Sequence, residues 1–175
     1  MPPTPKRRAF CHALAALVWA SLVPVGVAHA AGINLGLQGA ILGKALNYDQ
    51  AIKGKSPNIL LVADSDDGVR ELRAAFQKVG AAVRVANAAS AESAADWADA
   101  MYVFPGQLTP AVRNACMTHK VLSLSATVGD VEAGNASVAV GVNNGKPQLV
   151  INLSRVQAEG HKLSSRLLKL ARVVR

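Results

Sequence analysis

A short apolar run, Asn58 to Ala63 (NILLVA), constrains the fold of this chain more than any other stretch. It lies between Pro57 and Asp64 and is too short for a buried helix. Strands with an unbroken apolar sequence are buried on both faces, which is typical of parallel sheets covered by helices. The run therefore predicts a central strand of an α/β sheet.

Strand and helix patterns alternate after this run. Helical patterns at 69–79, 90–98 and 110–119 separate strand patterns at 82–86, 101–104 and 121–125. An earlier helix is predicted from Leu37 to Ile52. Because the connections are short, the simplest closure is a single α/β domain with a mainly parallel sheet flanked by helices.

The pattern changes after residue 137. Two strand patterns, Val138 to Val142 and Gln148 to Leu153, flank Asn143-Asn144-Gly145-Lys146, and Asn-Gly predicts an antiparallel hairpin at one edge of the sheet. A short helix, Arg155 to Glu159, then stops at Gly160. A final helix is predicted to pack back across one face of the sheet, with these apolar residues at helical spacing: Leu163, Leu167, Leu170 and Val174.

The first thirty residues have the pattern of a signal peptide. Lys6, Arg7 and Arg8 precede an apolar stretch, and Ala28-His29-Ala30 offers the small residues that a signal peptidase requires. A membrane anchor is the alternative, but the apolar run from Ala13 to Val23 is shorter than the ~20 residues of a spanning helix. We expect export to the periplasm, cleavage near Ala30 and a mature domain at 31–175.

Basic residues are concentrated at the C-terminal end. Of 19 basic residues three leave with the signal peptide, so 16 remain against 11 acidic ones, a net charge of +5. From Lys146 to Arg175 there are seven basic residues and one acid, Glu159. Such a surface suits an acidic protein or anionic lipid, whereas export and few aromatics argue against nucleic acid. A solvated helix face is the alternative. The candidate partner-binding residues are Lys162, Arg166, Lys169 and Arg172.

Three carboxylates follow the first strand of the predicted sheet. Asp64, Asp66 and Asp67 lie where open α/β sheets place ligands, and Gly106 follows another strand in the same way. These four residues form a candidate ligand cleft. The alternative is that the carboxylates cap the helix beginning at Val69.

Catalytic and metal-binding patterns are absent from the sequence. There is no phosphate loop of the G-x-G-x-x-G or G-x-x-x-x-G-K-[ST] kind. Cys116 and His119 lie three apart on one predicted helix, but two ligands do not make a metal site. We expect Cys116 to be buried and His161 to lie at the surface. No catalytic, cofactor-binding or metal-binding residue is assigned, so a non-enzymatic protein is predicted.

Two stretches resemble the YfiR-like family of small periplasmic proteins. Ile151-Asn152-Leu153 and Lys162 to Ala171 (KLSSRLLKLA) resemble the strand and helix that close those proteins, and Leu46 to Asp49 (LNYD) resembles one branch of the family. The resemblance implies an exported α/β protein that binds the periplasmic sensor region of an inner-membrane diguanylate cyclase. Repression would lower cyclic-di-GMP signalling and biofilm formation. The best-known members carry several cysteines, but here only Cys116 remains after cleavage.

Two hypotheses follow from the sequence. The leading one is a non-enzymatic periplasmic repressor of a membrane diguanylate cyclase, acting by protein contact, without a cofactor and without nucleic acid. The alternative is a periplasmic small-molecule-binding protein with a cleft at the carboxyl ends of the strands. Whether the protein forms a homodimer is left open by the sequence.

Overall fold

Strands and helices alternate along residues 33–175, the part of the chain that the computed structural model describes. The predicted signal peptide at 1–30 lies outside the described residues. The elements in chain order are α1 (Leu35–Leu46), β1 (Asn58–Val62), α2 (Val69–Lys78), β2 (Ala82–Ala86), α3 (Ala91–Ala95), β3 (Ala100–Val103), α4 (Pro110–His119), β4 (Leu122–Ser125), α5 (Val128–Glu132), β5 (Val138–Asn143), β6 (Lys146–Asn152), α6 (Leu153–Ala158), α7 (Ser165–Leu168) and β7 (Arg172–Val174).

One mixed sheet contains the seven described strands in the order β2-β1-β3-β4-β5-β6-β7. The first five are parallel neighbours, β5 and β6 are antiparallel, and β7 lies parallel to β6. The predicted α/β class, the mainly parallel sheet and the antiparallel hairpin are confirmed.

Strand β1 is buried on both faces, as its sequence predicts. Ile59 and Leu61 belong to the core beneath α1 and α2, whereas Leu60 and Val62 belong to a second core beneath α3 and α4. Alternate residues of a strand point to opposite faces, so the one run of apolar residues serves two hydrophobic cores.

Glycine permits a close contact between α1 and α2. A Cβ atom at Gly39 would lie 2.8 Å from the Cβ of Ala75 and 2.9 Å from Cδ1 of Leu72. Close to this contact, the buried Tyr102 hydroxyl donates a hydrogen bond to Oε1 of Gln38 at 2.9 Å. Helix α1 is thereby fixed against both α2 and the sheet.

The β5–β6 hairpin turns at the predicted Asn-Gly pair. Asn144 and Gly145 have φ angles of 50° and 73°, the positive values that a two-residue turn of this handedness requires. The turn sets a register in which Asn143 faces Lys146 and Val138 faces Ile151. The hairpin is not at the edge of the sheet, because β7 adds to the far side of β6.

The predicted C-terminal helix is wrong in its extent. Helix α7 is one turn long, Leu170 is exposed, and the chain continues as strand β7. Leu163 and Leu167 are buried, as expected. The physical reason lies in the hairpin, since β6 would otherwise present an unpaired edge and the β-branched Val173 and Val174 suit a strand.

Candidate partner-binding surface

A buried carboxylate fixes the start of the C-terminal segment. Glu159, directly after α6, is fully buried and each of its oxygens accepts two hydrogen bonds. Oε1 receives Nε of Arg155 at 2.8 Å and Oγ of Ser123 at 2.7 Å. Oε2 receives the backbone N–H of Ser123 at 2.8 Å and Oγ of Ser137 at 2.6 Å. Its acceptor capacity is therefore filled.

Arg155 extends this network to the neighbouring helix. Its Nη2 donates to the backbone carbonyl of Arg113 on α4 at 2.7 Å. Asn152 accepts from the backbone N–H of Arg155 at 2.9 Å, so it caps α6 as its sequence position allows. Helix α6 is thus attached to β4, to Ser137 directly before β5 and to α4 by charged and polar groups, and these bonds hold the segment that follows it.

His161 is buried, so its predicted surface position is wrong. Its Nδ1 contacts the carboxylate of the fully buried Asp49, and its Nε2 lies 2.9 Å from the backbone carbonyl of Lys120. Both partners are acceptors, so the ring satisfies both when both of its nitrogens are protonated. Burial alone lowers the pKa of His161, but the hydrogen bond and charge of Asp49, together with the Lys120 carbonyl and the charge of Glu159, raise that pKa above its ordinary value.

Backbone contacts complete the attachment at this point. The backbone N–H of Gln50 donates to the carbonyl of Lys162 at 3.0 Å, and that of Ser164 donates to the carbonyl of Tyr48 at 2.9 Å. Asp49 and Leu163 form an antiparallel bridge between them. The end of the LNYD stretch therefore meets the start of the KLSS stretch. The two separate stretches that resemble the YfiR-like family are thus in contact.

The four basic candidates lie on the segment that this network holds. Lys162, Arg166 and Lys169 are exposed, and within residues 33–175 no acidic side chain lies within salt-bridge distance of them. Arg172 lies on β7 rather than on a helix, and it pairs with Glu132. Arg166 and Lys169 are one turn apart at α7, so three of the four present charge available to a partner.

The candidate ligand cleft is an open surface. Asp64, Asp66 and Asp67 are exposed, as is Gly106. Asp66 lines a shallow cavity of about 260 Å³ with Val69, Arg70 and Arg73, which the other three candidates do not line. Gly68 occupies the N-cap of α2 and no side chain accepts a capping hydrogen bond there, so of the capping alternative only the attraction of the carboxylates to the helix dipole remains.

Cys116 is buried, as predicted. Its sulfur lies 3.8 Å from the sulfur of Met101, and burial raises the pKa of the thiol far above its ordinary value, with the Glu159 carboxylate adding to the effect. His119 pairs with Asp96 rather than with the thiol. Among the described residues no group of three His, Cys, Asp or Glu side chains could hold a metal ion.

Sequence reasoning missed the residues that hold the C-terminal segment. Glu159 stands out only as the one acid in a basic stretch, and neither Ser123 in β4 nor Ser137 just before β5 gives a signal in its apolar surroundings. No helix within residues 33–175 is long and apolar enough to cross a membrane.

Comparisons with known proteins agree with this architecture. A sequence model described as YfiR/HmsC-like matches residues 38–172. A conserved domain protein from Vibrio cholerae O1 biovar El Tor has a solved structure that superposes with a TM-score of 0.62 at 17% identity. The alignment covers 78% of this chain and 60% of that protein.

The low identity to the solved structure supports the fold alone, whereas the family match extends over most of the sequence. No curated protein sequence matches. The matched region includes β1 to β6, the buried Glu159 network and the four basic candidates. This chain therefore belongs to the YfiR/HmsC-like family.

Proposed function

We propose that this protein is exported, binds the periplasmic sensor region of an inner-membrane diguanylate cyclase and represses that cyclase. The observation that carries the proposal is the exposed basic surface of Lys162, Arg166 and Lys169, whose charges have no acidic partner among the described residues. Family membership supports a membrane signalling protein as the partner. The export step rests on the sequence of residues 1–30.

The basic surface suits protein contact because its backbone is held in place. Glu159 and His161 attach the chain immediately before Lys162 to the core, so Arg166 and Lys169 are presented by an ordered turn. An ordered surface loses less conformational entropy on binding than a loose tail does. Charge complementarity at such a surface governs the rate of encounter and the choice of partner.

The first test is cyclic-di-GMP in cells that lack the gene. We expect cyclic-di-GMP to rise on deletion and to return when a copy with its signal peptide is restored. A restored copy without residues 1–30 should fail to lower it, because it stays in the cytoplasm. An unchanged level on deletion, with the cyclase shown to be expressed, would refute the proposed function.

The second test changes the basic surface. A restored copy carrying Arg166→Glu and Lys169→Glu should leave cyclic-di-GMP at the level of the deletion. The matched control is Lys53→Glu with Lys55→Glu, which makes the same charge change at two exposed lysines in another loop and should repress normally. Both variants should melt like the unmodified protein, since all four side chains are exposed. Repression by both variants would remove the basic surface from the proposal.

The second candidate function is small-molecule binding at Asp64, Asp66, Asp67 and Gly106. The one observation in its favour is the cavity beside Asp66, which carries both acidic and basic side chains. A bound ligand would raise the melting temperature, because it stabilises the native state. A screen of periplasmic metabolites that produces no shift would count against this candidate.

A further inference from the structure

Strand β7 leaves one edge of the sheet open. It is the last strand in the sheet order, and its inner side pairs with β6 through Val150–Arg172, Ile151–Val173 and Asn152–Val174. Within residues 33–175 no strand or loop backbone bonds to its outer side. An open edge presents N–H and C=O groups that another extended chain can pair with.

The side chains around this edge are more apolar than a protected edge requires. Proteins commonly guard edge strands by making them short and charged, and the brevity of β7 and the charge of Arg172 fit that device. However, Leu170, two residues before the strand, is 73% exposed, and Val173 within it is 36% exposed. Protection of the edge against unwanted pairing does not explain why these two apolar side chains are exposed, whereas a docking site for another chain does.

The neighbouring hairpin adds to the same surface. Val142 is 52% exposed, and it lines a cavity of about 390 Å³ together with Arg172, Gly141 and Val150. The space directly beside Gly141 is filled by Val128, because its Cγ2 lies 2.8 Å from where a Cβ atom would stand. An added strand would place alternate side chains on the two faces of the sheet, and this cavity lies on one of those faces.

Charge specifies the kind of chain that fits this edge. Arg166 and Lys169 precede β7 and the exposed Arg175 follows it, while Arg172 is already paired with Glu132. Three cations therefore flank β7 along the chain, and Glu132, which contacts the strand, is already paired with Arg172. A segment with acidic residues gains attraction here, and a basic one is repelled.

We propose that the outer edge of β7 receives an extended, acidic segment of the cyclase sensor region as an eighth strand. The inference rests on the proposed function and specifies how the partner binds. A main-chain ladder supplies affinity, Leu170 and Val173 supply apolar contacts, and the three cations disfavour a basic segment. A lipid surface could satisfy the charges but not the backbone groups.

Site-specific photocrosslinking in cells tests the position of the partner. The photoreactive p-benzoylphenylalanine is placed at 170 or 173 of the full chain, with 85 as the matched control. Val85 lies on β2, the opposite edge of the sheet, and is 39% exposed. We expect positions 170 and 173 to crosslink to the cyclase and position 85 to give no such crosslink. Mass spectrometry of the crosslinked peptide should identify a segment that contains Asp and Glu.

Hydrogen exchange tests the strand itself. When the purified sensor region is added to the full chain, amide exchange within 172–174 should slow by about tenfold, the change that about 1.4 kcal/mol of stabilisation gives. Exchange within 82–86 should stay unchanged. Unaltered exchange at 172–174 in the bound state would refute strand addition.

The outcomes separate this inference from the proposed function. Crosslinks to the cyclase from position 85 but not from 170 or 173 would overturn the β7 site and leave cyclase binding intact. Crosslinks from 170 and 173 to a second copy of this chain, or to lipid alone, would also overturn it. Unchanged cyclic-di-GMP on deletion would remove the proposed function, and the β7 inference with it.

Discussion

The two ends of the sheet are held to their helices by different forces. Around β1 and β3 both faces are apolar, and α1 to α4 bury side chains such as Leu61, Phe76 and Met101. Around β4, α6 and the residue before β5, a buried charge network centred on Glu159 and His161 adds to the apolar packing. We call the first region the apolar end of the sheet and the second the polar end.

This contrast determines what each end tolerates. An apolar core accepts side chains of similar volume, because packing and burial are non-directional. A buried ionic network accepts one arrangement, because each donor and acceptor that loses its partner is left desolvated. The end that carries the basic surface is therefore the more sharply specified in geometry, which suits a surface that recognises a partner.

The largest expected effect is the loss of the Glu159 carboxylate. Glu159→Ala leaves the buried Arg155 without its counter-charge and three donors of Ser123 and Ser137 without an acceptor. Breaking a buried pair in this way costs about 3–5 kcal/mol. We expect the free energy of unfolding, measured in urea, to fall by that amount.

An exposed ion pair provides the control for this prediction. Glu132→Ala removes the partner of Arg172, where both side chains are substantially exposed, and should cost no more than about 1 kcal/mol. The double variant Arg155→Met with Glu159→Leu should be less destabilised than Glu159→Ala, because no unpaired charge remains. Equal losses for Glu159→Ala and Glu132→Ala would contradict the contrast drawn between the two ends.

The apolar end could be predicted from sequence because its signals are local. The unbroken run at 58–62 marks a strand buried on both faces, and Thr109 with Pro110 marks the start of α4. The Asn-Gly turn between β5 and β6 was predictable for the same reason although it lies at the other end, because its conformational requirement is contained within two residues. Each of these features depends on neighbours in the chain, so a sequence pattern is enough to find it.

The polar end could not be predicted in the same way. Asp49 and His161 are 112 positions apart, and Ser123 and Glu159 are 36 apart. Nothing near His161 indicates burial, because the partner that makes burial favourable lies at the other end of the sequence. The final strand escaped prediction for a related reason: the apolar spacing from Leu163 to Val174 fits a helix, and only the free edge of β6 favours β7.

A smaller effect is expected from Gly39, and it tests whether the apolar end is tolerant throughout. Gly39→Ala places a Cβ atom 2.8 Å from that of Ala75, which cannot rotate away, so α1 and α2 must separate. Overpacking of this kind costs about 1–3 kcal/mol, although alanine is favoured over glycine in a helix by about 1 kcal/mol. We expect a net loss of stability in urea unfolding.

Gly129 is the matched control for this substitution. It also lies in a helix, α5, but a Cβ atom there would meet nothing within 4 Å. Gly129→Ala should therefore stabilise the protein by about 0.5–1 kcal/mol through backbone entropy alone. If both variants gained stability, the close contact of α1 with α2 would not be a constraint, and the apolar end would be as permissive as its composition suggests.

The pH dependence of stability gives the finest test, because it isolates one contact at the polar end. The pKa of His161 is raised in the folded protein by Asp49, against the effect of burial, above its value of about 6.5 in an unfolded chain. A raised pKa contributes stability that is fully present below the unfolded value and is lost as pH rises through the folded value. In the unmodified protein, the free energy of unfolding measured from pH 5.5 upward should fall as the pH rises from the unfolded to the folded pKa of His161.

Two variants separate this contact from other titrating groups. His161→Gln should be less stable at low pH and should lack that decline, whereas His119→Gln, at a partly exposed pair with Asp96, should keep it. If the decline persists in His161→Gln, other titrating groups cause it. The Asp49–His161 contact would then be a hydrogen bond that contributes no pH-dependent stability.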